Sequence, residues 1–514
     1  MTGCTHRYEA TGNERTCPRP AVDDHEKCVF HLKPEERTAA DVTGADICSA
    51  VLADLDADDP ARRDYVDVHL PELDLSALVV DGDDVGHLTF RDVTVEGPLD
   101  LTGAVVRHPI AIEDAEIGRL VADHTSFEME VTVDGSTIGT SSGGTCFRAH
   151  RGSFGRSLQI AATRFEGSVD LAACRIDGWL SFDDTTVVGG AHFPNLAVGT
   201  AQFVSSTFES GAEFAGIAAD LATFQGVAVS EGATLDLVDV RFEELRVRPA
   251  GDLRCRLAEA TVSAGRLDQP DQGVAAYDLT EATVGDVDID CDADSFDRYR
   301  FYRTRFDDFH FAPYHTLLRD NRWHIHEYVH DPEQPVTVEG LEQTYLEAKQ
   351  GAADVGDSET GSMFFVRELR YRRRRYAAHA RAETHSTSHR VDAALRWVTN
   401  GFLDLIAGYG ERPQRTALLT LAVILGCAVA FPATGGLVAG DEVDGGAGHD
   451  PDMQVRVIGL QHRDRAGHHA GERGRHRAER EFPGQPPVAE RRRHDVVIGG
   501  HDLAGLGHQC MAER

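Results

Sequence analysis

"TRFEGSVDLAACRIDGWLSFDDTTVV", residues 163–188, decides the fold. Apolar residues pair across one polar position at Val169/Leu171 and Leu180/Phe182, then at Ala191/Phe193, Ala201/Phe203 and Ala212/Phe214. Upstream the spacing recurs at Leu99/Leu101, Ile110/Ile112 and Leu158/Ile160. Another apolar residue stands midway between successive pairs: Phe165, Ile176, Val187, Val198, Phe208. The unit is therefore about five residues, as in "TRFEG", "CRIDG" and "STFES", and a fixed short period means a solenoid. One inward residue per five, flanked by small ones, predicts a mainly β chain forming a right-handed quadrilateral β-helix. Each coil, of about four units, buries its apolar ladder only against its neighbours. Two packed antiparallel sheets would carry clearer hairpin signals.

The repeats are expected over 73–295, from "LDLSALVV" to worn final coils near "VGDVDIDCD", with 140–153 ("TSSGGTCFRAHRGS") as an interrupting loop. This stretch resembles the pentapeptide-repeat family. Residues 36–72 read as a linker with a short helix.

Residues 1–35 form a small Cys/His segment. Cys4, Cys17, Cys28 and His31 give C-x12-C-x10-C-x2-H. So short a piece has too little apolar material for a core, and a structural zinc with four N/S ligands would supply the missing stability. His6 and His25 are alternative ligands; a reducible, unstructured tail is the competing reading. Ten cysteines in 514 residues do not make a disulfide framework.

Residues 296–400 read as an aromatic-rich linker and a helical hairpin. His310, His315, His324, His326 and His330 invite a metal reading, yet His324 and His326, two apart, fall on different helix faces. Packing against the open end of the solenoid is the expected role. One helix carries Tyr345 and Lys349 and stops near "GAADVGD"; the next places Phe365 and Leu369 on one face and pairs Glu368 with Arg372. The pair is rather like a single tetratricopeptide-type unit.

The junction and spanning helix occupy 401–440. "TALLTLAVILGCAVAF", 416–431, carries no charge, and with "PATGGLV" it reaches spanning length. A buried core helix is the alternative. Arg372, Arg373, Arg374, Arg375, Arg412 and Arg415 precede it, whereas Asp441, Glu442 and Asp444 follow, so a single-pass topology with cytoplasmic N-terminal domains is expected. The same arginines are the expected contacts to anionic membrane lipid. No charged start with an apolar h-region opens the chain, which agrees with a cytosolic N-terminal part. Gly408-Tyr409-Gly410 has the spelling of a potassium-channel filter. A filter must lie between two spanning helices, whereas this tripeptide precedes the first and runs into Glu-Arg-Pro. No selectivity filter is expected in this chain.

"GYGERP" ahead of an apolar helix, with "TYLEAKQGAADVGD" (344–357) and "FFVRELRYRRRR" (364–375), resembles membrane-anchored pentapeptide-repeat proteins. The resemblance covers roughly residues 1–440. It implies a potassium-channel-like pore and a second helix after 440. Instead 441–514 turns Arg-, His- and Gly-rich without periodicity. Three readings compete: a basic tail, a low-order remnant, and a pore region read out of frame. Codons for "ERRRHD", shifted by one base, can encode Ser-Val-Val-Gly-Met-Thr.

The formal charge is −34, from 51 Lys+Arg against 85 Asp+Glu, and only Lys27, Lys33 and Lys349 are lysines. Abundant Asp and Arg with scarce Lys is a halophilic composition, and it disfavours nucleic-acid binding. Acidic residues are too widespread for any pair to mark an enzyme, and no nucleophile elbow or phosphate loop occurs. The leading expectation is a non-enzymatic, membrane-anchored scaffold or sensor whose β-helix binds an unidentified protein. The alternatives are an ion channel with a disrupted pore, which would be a tetramer, and a DNA mimic that binds type II topoisomerases, as the resemblance implies for some soluble members.

Overall fold

The computed structural model describes residues 3–433, apart from 11, 12, 56, 58, 81–86, 141, 142, 293, 294, 330–335, 383–385 and 412. The tail 441–514 and its competing readings lie outside the described residues.

A parallel β-solenoid of about 11 turns forms the body. One face stacks Tyr65, Phe90, Ile112, Val133, Ile160, Phe182, Phe203, Phe224, Val247, Leu267 and Ile289 in unbroken parallel register. Another runs from Leu73 through Leu99, Leu120, Phe147 and Val169 to Tyr277 and Tyr299. Val80, Val106, Phe127, Phe154 and Ile176 make a third ladder. Leu70, Val95, Ile117, Ile138, Phe165 and Val187 make the fourth. Four inward positions per coil are what the five-residue unit requires. Ion pairs between adjacent coils show the repeat length directly, Arg91 to Glu113 over 22 residues and Arg107 to Glu128 over 21.

The turns between faces are stacked too. Asp92, Asp114, Ala162, Asp184 and Ser205 hold φ between 45° and 52° in one column. Asp tolerates this left-handed region because its short polar side chain bonds locally. Beside the column run fully buried hydroxyls. Thr163 donates to the Ala161 carbonyl at 2.7 Å, Thr185 to Asp183 at 3.0 Å and Ser206 to Val204 at 3.0 Å. Each buried polar atom is thereby satisfied within its own turn.

Pairing extends beyond the expected limits, from Asp64–Val66 to Arg305–Phe306. Residues 36–72 therefore contain strands of the first coil as well as helix. Within 140–153, Thr145–Arg148 and Ser153–Phe154 are strands, contrary to the loop expected there. Phe147 and Phe154 fill their ladders, and the extra residues of that coil precede Thr145.

Both ends are covered. At the N-terminal end a hairpin, β1 (Arg7–Ala10) with β2 (Asn13–Thr16), leads into α1 (Pro34–Ala39) and α2 (Gly44–Leu55). At the other end Phe306, Phe309 and Phe311 pack ring to ring at 4.8–5.4 Å. A short α3 (His315–Asp320) follows, then α4 (Val338–Asp354) and α5 (Ser358–Arg381). Phe364 of α5 meets Phe311 and Trp323 edge-on. The hydroxyls of Tyr314 and Thr344 accept from Ile289 N and Arg303 N, at 2.9 Å each. These bonds give two backbone N–H groups at the end of the solenoid partners beyond the ladder.

The buried face of α5 is Gly361, Phe364, Glu368 and Tyr371, one step from the expected Phe365/Leu369 face. Glu368 tolerates burial because Lys349 of α4 reaches it at 2.6 Å and Arg372 bonds its other oxygen. The histidines here are held by hydrogen bonds: His315 to Asp357 at 2.9 Å, His324 to Glu327 at 2.7 Å and His326 to the Tyr345 hydroxyl at 2.9 Å. His310 is exposed, and His330 lies outside the described residues. Then come α6 (Thr387–Ala407) and α7 (Pro413–Ala433).

Two measurements check this end of the fold. A Cβ on Gly351 would stand 2.5 Å from Phe306 Cβ and 2.9 Å from its carbonyl oxygen, whereas one on Gly361 meets nothing nearer than 3.8 Å. Gly351→Ala is expected to destabilise by about 1–3 kcal/mol through overpacking, and Gly361→Ala to stabilise by up to about 1 kcal/mol through helix propensity, in denaturant titrations. Burial, with the charges of His324, Arg300, Arg367 and Arg374 adding to it, lowers His326 from 6.5 to about 4. The unfolded chain therefore binds a proton below pH 6.5 that the folded chain refuses until about pH 4. Stability from this site is full above that window and falls as the pH drops through it. Melting temperature should fall from pH 7 to pH 5 by roughly a few degrees more in the parent than in His326→Gln; equal falls would remove His326 as the cause.

Candidate metal centre

The first 31 residues fold back so that three thiols and one imidazole converge. Cys4 N donates to the Arg19 carbonyl and Cys17 N to the His6 carbonyl, at 2.9 Å each, which sets two sulfurs on adjacent segments. The turn after Cys28 brings His31 round, with His31 N bonded to the Cys28 carbonyl at 3.0 Å. Cys4, Cys17, Cys28 and His31 are all buried, and their ligand atoms lie within 4.8 Å of one another.

A tetrahedral zinc with bonds of about 2.3 Å to sulfur and 2.0 Å to nitrogen sets S···S near 3.8 Å and S···N near 3.5 Å. Cys17 Sγ and Cys28 Sγ are 3.8 Å apart, and His31 Nδ1 lies 3.2 Å from Cys28 Sγ and 3.6 Å from Cys4 Sγ. The donor set fits the ion. His31 Nε2 is 2.9 Å from the Val66 carbonyl. That bond places the ring proton on Nε2 and leaves the Nδ1 lone pair turned toward the thiols, the arrangement that orients a metal-bound imidazole. Cys17 is held low, chiefly by the hydrogen bond from Cys28 and further by Arg19, while Cys28 is pushed up by giving that bond.

The alternative ligands fall elsewhere. His6 stacks face-on over His31 at 3.8 Å and turns its Nε2 to Asp67 at 3.2 Å. It covers the ligand ring rather than joining the donors. His25 is half-buried and outside the cluster. With four protein donors and no open position, such a centre supplies cross-linking rather than catalysis.

Sequence reading missed the group that ties this cap to the solenoid. Arg19, 3% exposed, bonds Asp54 of α2 at 2.6 Å and the Asp64 carbonyl at 3.1 Å. Its guanidinium lies over the Tyr65 ring at 4.4 Å and the Phe30 ring at 4.9 Å. Arg19 stands two residues after Cys17 in "CPRP", and nothing in that spelling separates it from a surface arginine.

The expected membrane-facing arginines are largely occupied. Arg372 and Arg375 bind Glu342 of α4 at 2.9 and 3.2 Å, and Arg373 binds Asp404 of α6 at 3.0 Å. Arg374 is exposed, its guanidinium 4.8 Å from the Tyr371 ring centre. Arg415 is exposed at the start of α7, and Arg412 lies outside the described residues. Gly408-Tyr409-Gly410 forms a short 3-10 turn between α6 and α7, with Gly408 at φ 53° closing α6 and the Tyr409 hydroxyl 2.6 Å from Asn400 Oδ1.

No family model, curated protein or solved structure matches this chain.

Purified without a metal-binding tag, the reduced chain is expected to carry one zinc per molecule. Cys28→Ser should lose it, and a chelator should expose the N-terminal 35 residues to protease while the central coils stay protected. Stoichiometric absence of zinc from the reduced parent would refute the assignment.

Proposed function

We propose that this chain is a non-enzymatic, membrane-anchored scaffold. In this reading a zinc-closed β-solenoid offers its faces to a protein partner on the cytoplasmic side. The observation that carries it is α7. Among the described residues it is the one helix long and apolar enough to cross a membrane, and none of its Gln414–Phe431 stretch is buried. Leu418, Val423, Ile424 and Val429 are each more than half exposed, so among the described residues its apolar side chains have no core to fill. The buried-helix alternative thus lacks support, and lipid is the solvent that suits such a surface. Arg374 and Arg415, on the N-terminal side, favour a cytoplasmic solenoid. The solenoid supports the scaffold part: several ion pairs join neighbouring coils, as Arg91 to Glu113 and Arg256 to Asp236, and the four donors of its cap leave no open metal position. A relationship to membrane-anchored pentapeptide-repeat proteins rests on the repeat and on "GYGERP". The elbow formed by that tripeptide favours an anchor over a pore, because its residues cap a helix.

Expressed in cells, the full chain should sediment with membranes, resist extraction by high salt, and enter detergent. The double variant Leu421→Arg/Ile424→Arg should move most of it to the soluble fraction, since each arginine at mid-span costs about 2.5–3.5 kcal/mol. Release of the parent by salt alone would overturn membrane spanning.

A further inference from the structure

The helix before the elbow is left half bare. Ala393 and Asn400 are the buried residues of α6. They lie on the side where Asp404 meets Arg373 of α5 at 3.0 Å. On the opposite side stand Val391, Leu395, Val398, Phe402 and Leu405, at alternating spacings of four and three, which is one continuous helical face. Their exposure runs from 56% at Val398 to 75% at Leu405. Asp392 and Arg396 pair with each other at 2.9 Å on the flank, so no charge interrupts the face. A contiguous apolar patch of this kind marks a contact surface.

Its position says which contact. The chain leaves α6 at Ala407, turns through Gly408, and enters α7 at Pro413. The elbow is pinned to α6 by the bond from Tyr409 to Asn400 at 2.6 Å, and Thr416 of α7 donates to the Ile406 carbonyl at 3.4 Å. The bare face is thus separated in the chain from the bare apolar surface of α7 only by this short elbow. A seam with a second copy would use the same spacing. This one spans about two heptads, short of the three to four that specify a coiled coil.

We infer that α6 lies along the membrane surface with Val391, Leu395, Val398, Phe402 and Leu405 in the lipid boundary, an inference that rests on α7 spanning the same membrane. It then acts as a second, in-plane anchor that fixes how the α4–α5 pair stands over the bilayer.

The test places a photoreactive p-benzoylphenylalanine in the full chain, reconstituted in phosphatidylcholine–phosphatidylglycerol vesicles. Separate variants carry it at Leu395, Phe402, Leu405, Arg396 and, in α7, Leu421. Roughly tenfold more lipid adduct at Leu395, Phe402 and Leu405 than at Arg396 is expected for an interfacial helix. Chain-to-chain adducts at those positions in place of lipid adducts would assign the face to a second copy and overturn the inference. Lipid adducts at Leu421 with none on α6 would overturn it while leaving the spanning helix intact. No adduct at Leu421 or on α6 would remove both.

Discussion

A parallel solenoid has no natural end. Every inner coil bonds and packs against two neighbours, but the first and last expose a full set of backbone groups and a cross-section of apolar core. That constraint organises the rest of the molecule. At one end Phe30 packs edge-on to Tyr65, the first member of an eleven-residue ladder, and the Tyr65 ring stacks on Phe90 at 5.2 Å. Arg19 spreads over the same rings and finds Asp54 for its charge. At the other end the aromatic cluster and α4 do this work, with Tyr314 and Thr344 accepting from Ile289 N and Arg303 N.

The N-terminal cover is too small to stand by itself. Its hairpin has four residues in each strand, and α1 has six. Four convergent donors compensate, and the bond from His31 to the Val66 carbonyl carries the order of the centre into the first coil. The donor cluster and the first coil therefore share one hydrogen bond. The C-terminal cover uses a different currency of order: Glu342 and Glu368 sit within a cluster of Lys349, Arg372 and Arg375, a buried network that is stable only while every member is present. Of the arginine run that reads as a lipid contact, Arg372 and Arg375 are held inside this network and Arg373 is held by Asp404.

The coils were legible because the physics repeats: an inward residue every fifth position leaves the same mark eleven times. The cluster of candidate metal ligands was legible because three thiols and an imidazole at C-x12-C-x10-C-x2-H stand out in 31 residues. Limits and faces were not. Asp64–Val66 and Arg305–Phe306 belong to coils whose neighbours have non-repeating sequences, so their pairing is visible only in register. Phe364 rather than Phe365 faces inward because Glu368, four residues on, is buried by its cations, and charge in a sequence signals surface. The stripe on α6 could have been found from its spacing of four and three, but nothing in the sequence says that α5 takes the opposite side.

The same distinction resolves Gly408-Tyr409-Gly410. As letters it belongs to a filter, where carbonyls must line a protein-enclosed path. Here Gly408 is left-handed, and its N–H turns back to the carbonyls of Asp404 and Leu403 at the end of α6. Those carbonyls need donors, and a residue without Cβ reaches them at least cost. Tyr409 shares the left-handed region at φ 62°, a strain for a bulky residue that its bond to Asn400 helps to hold. Three consecutive residues with positive φ, Gly408, Tyr409 and Gly410, turn the chain, and Pro413, at the first helical position, starts α7 where no N–H is needed. Each residue of the junction is thus explained by turning one helix into another. A pore would ask the same residues to do the opposite and extend.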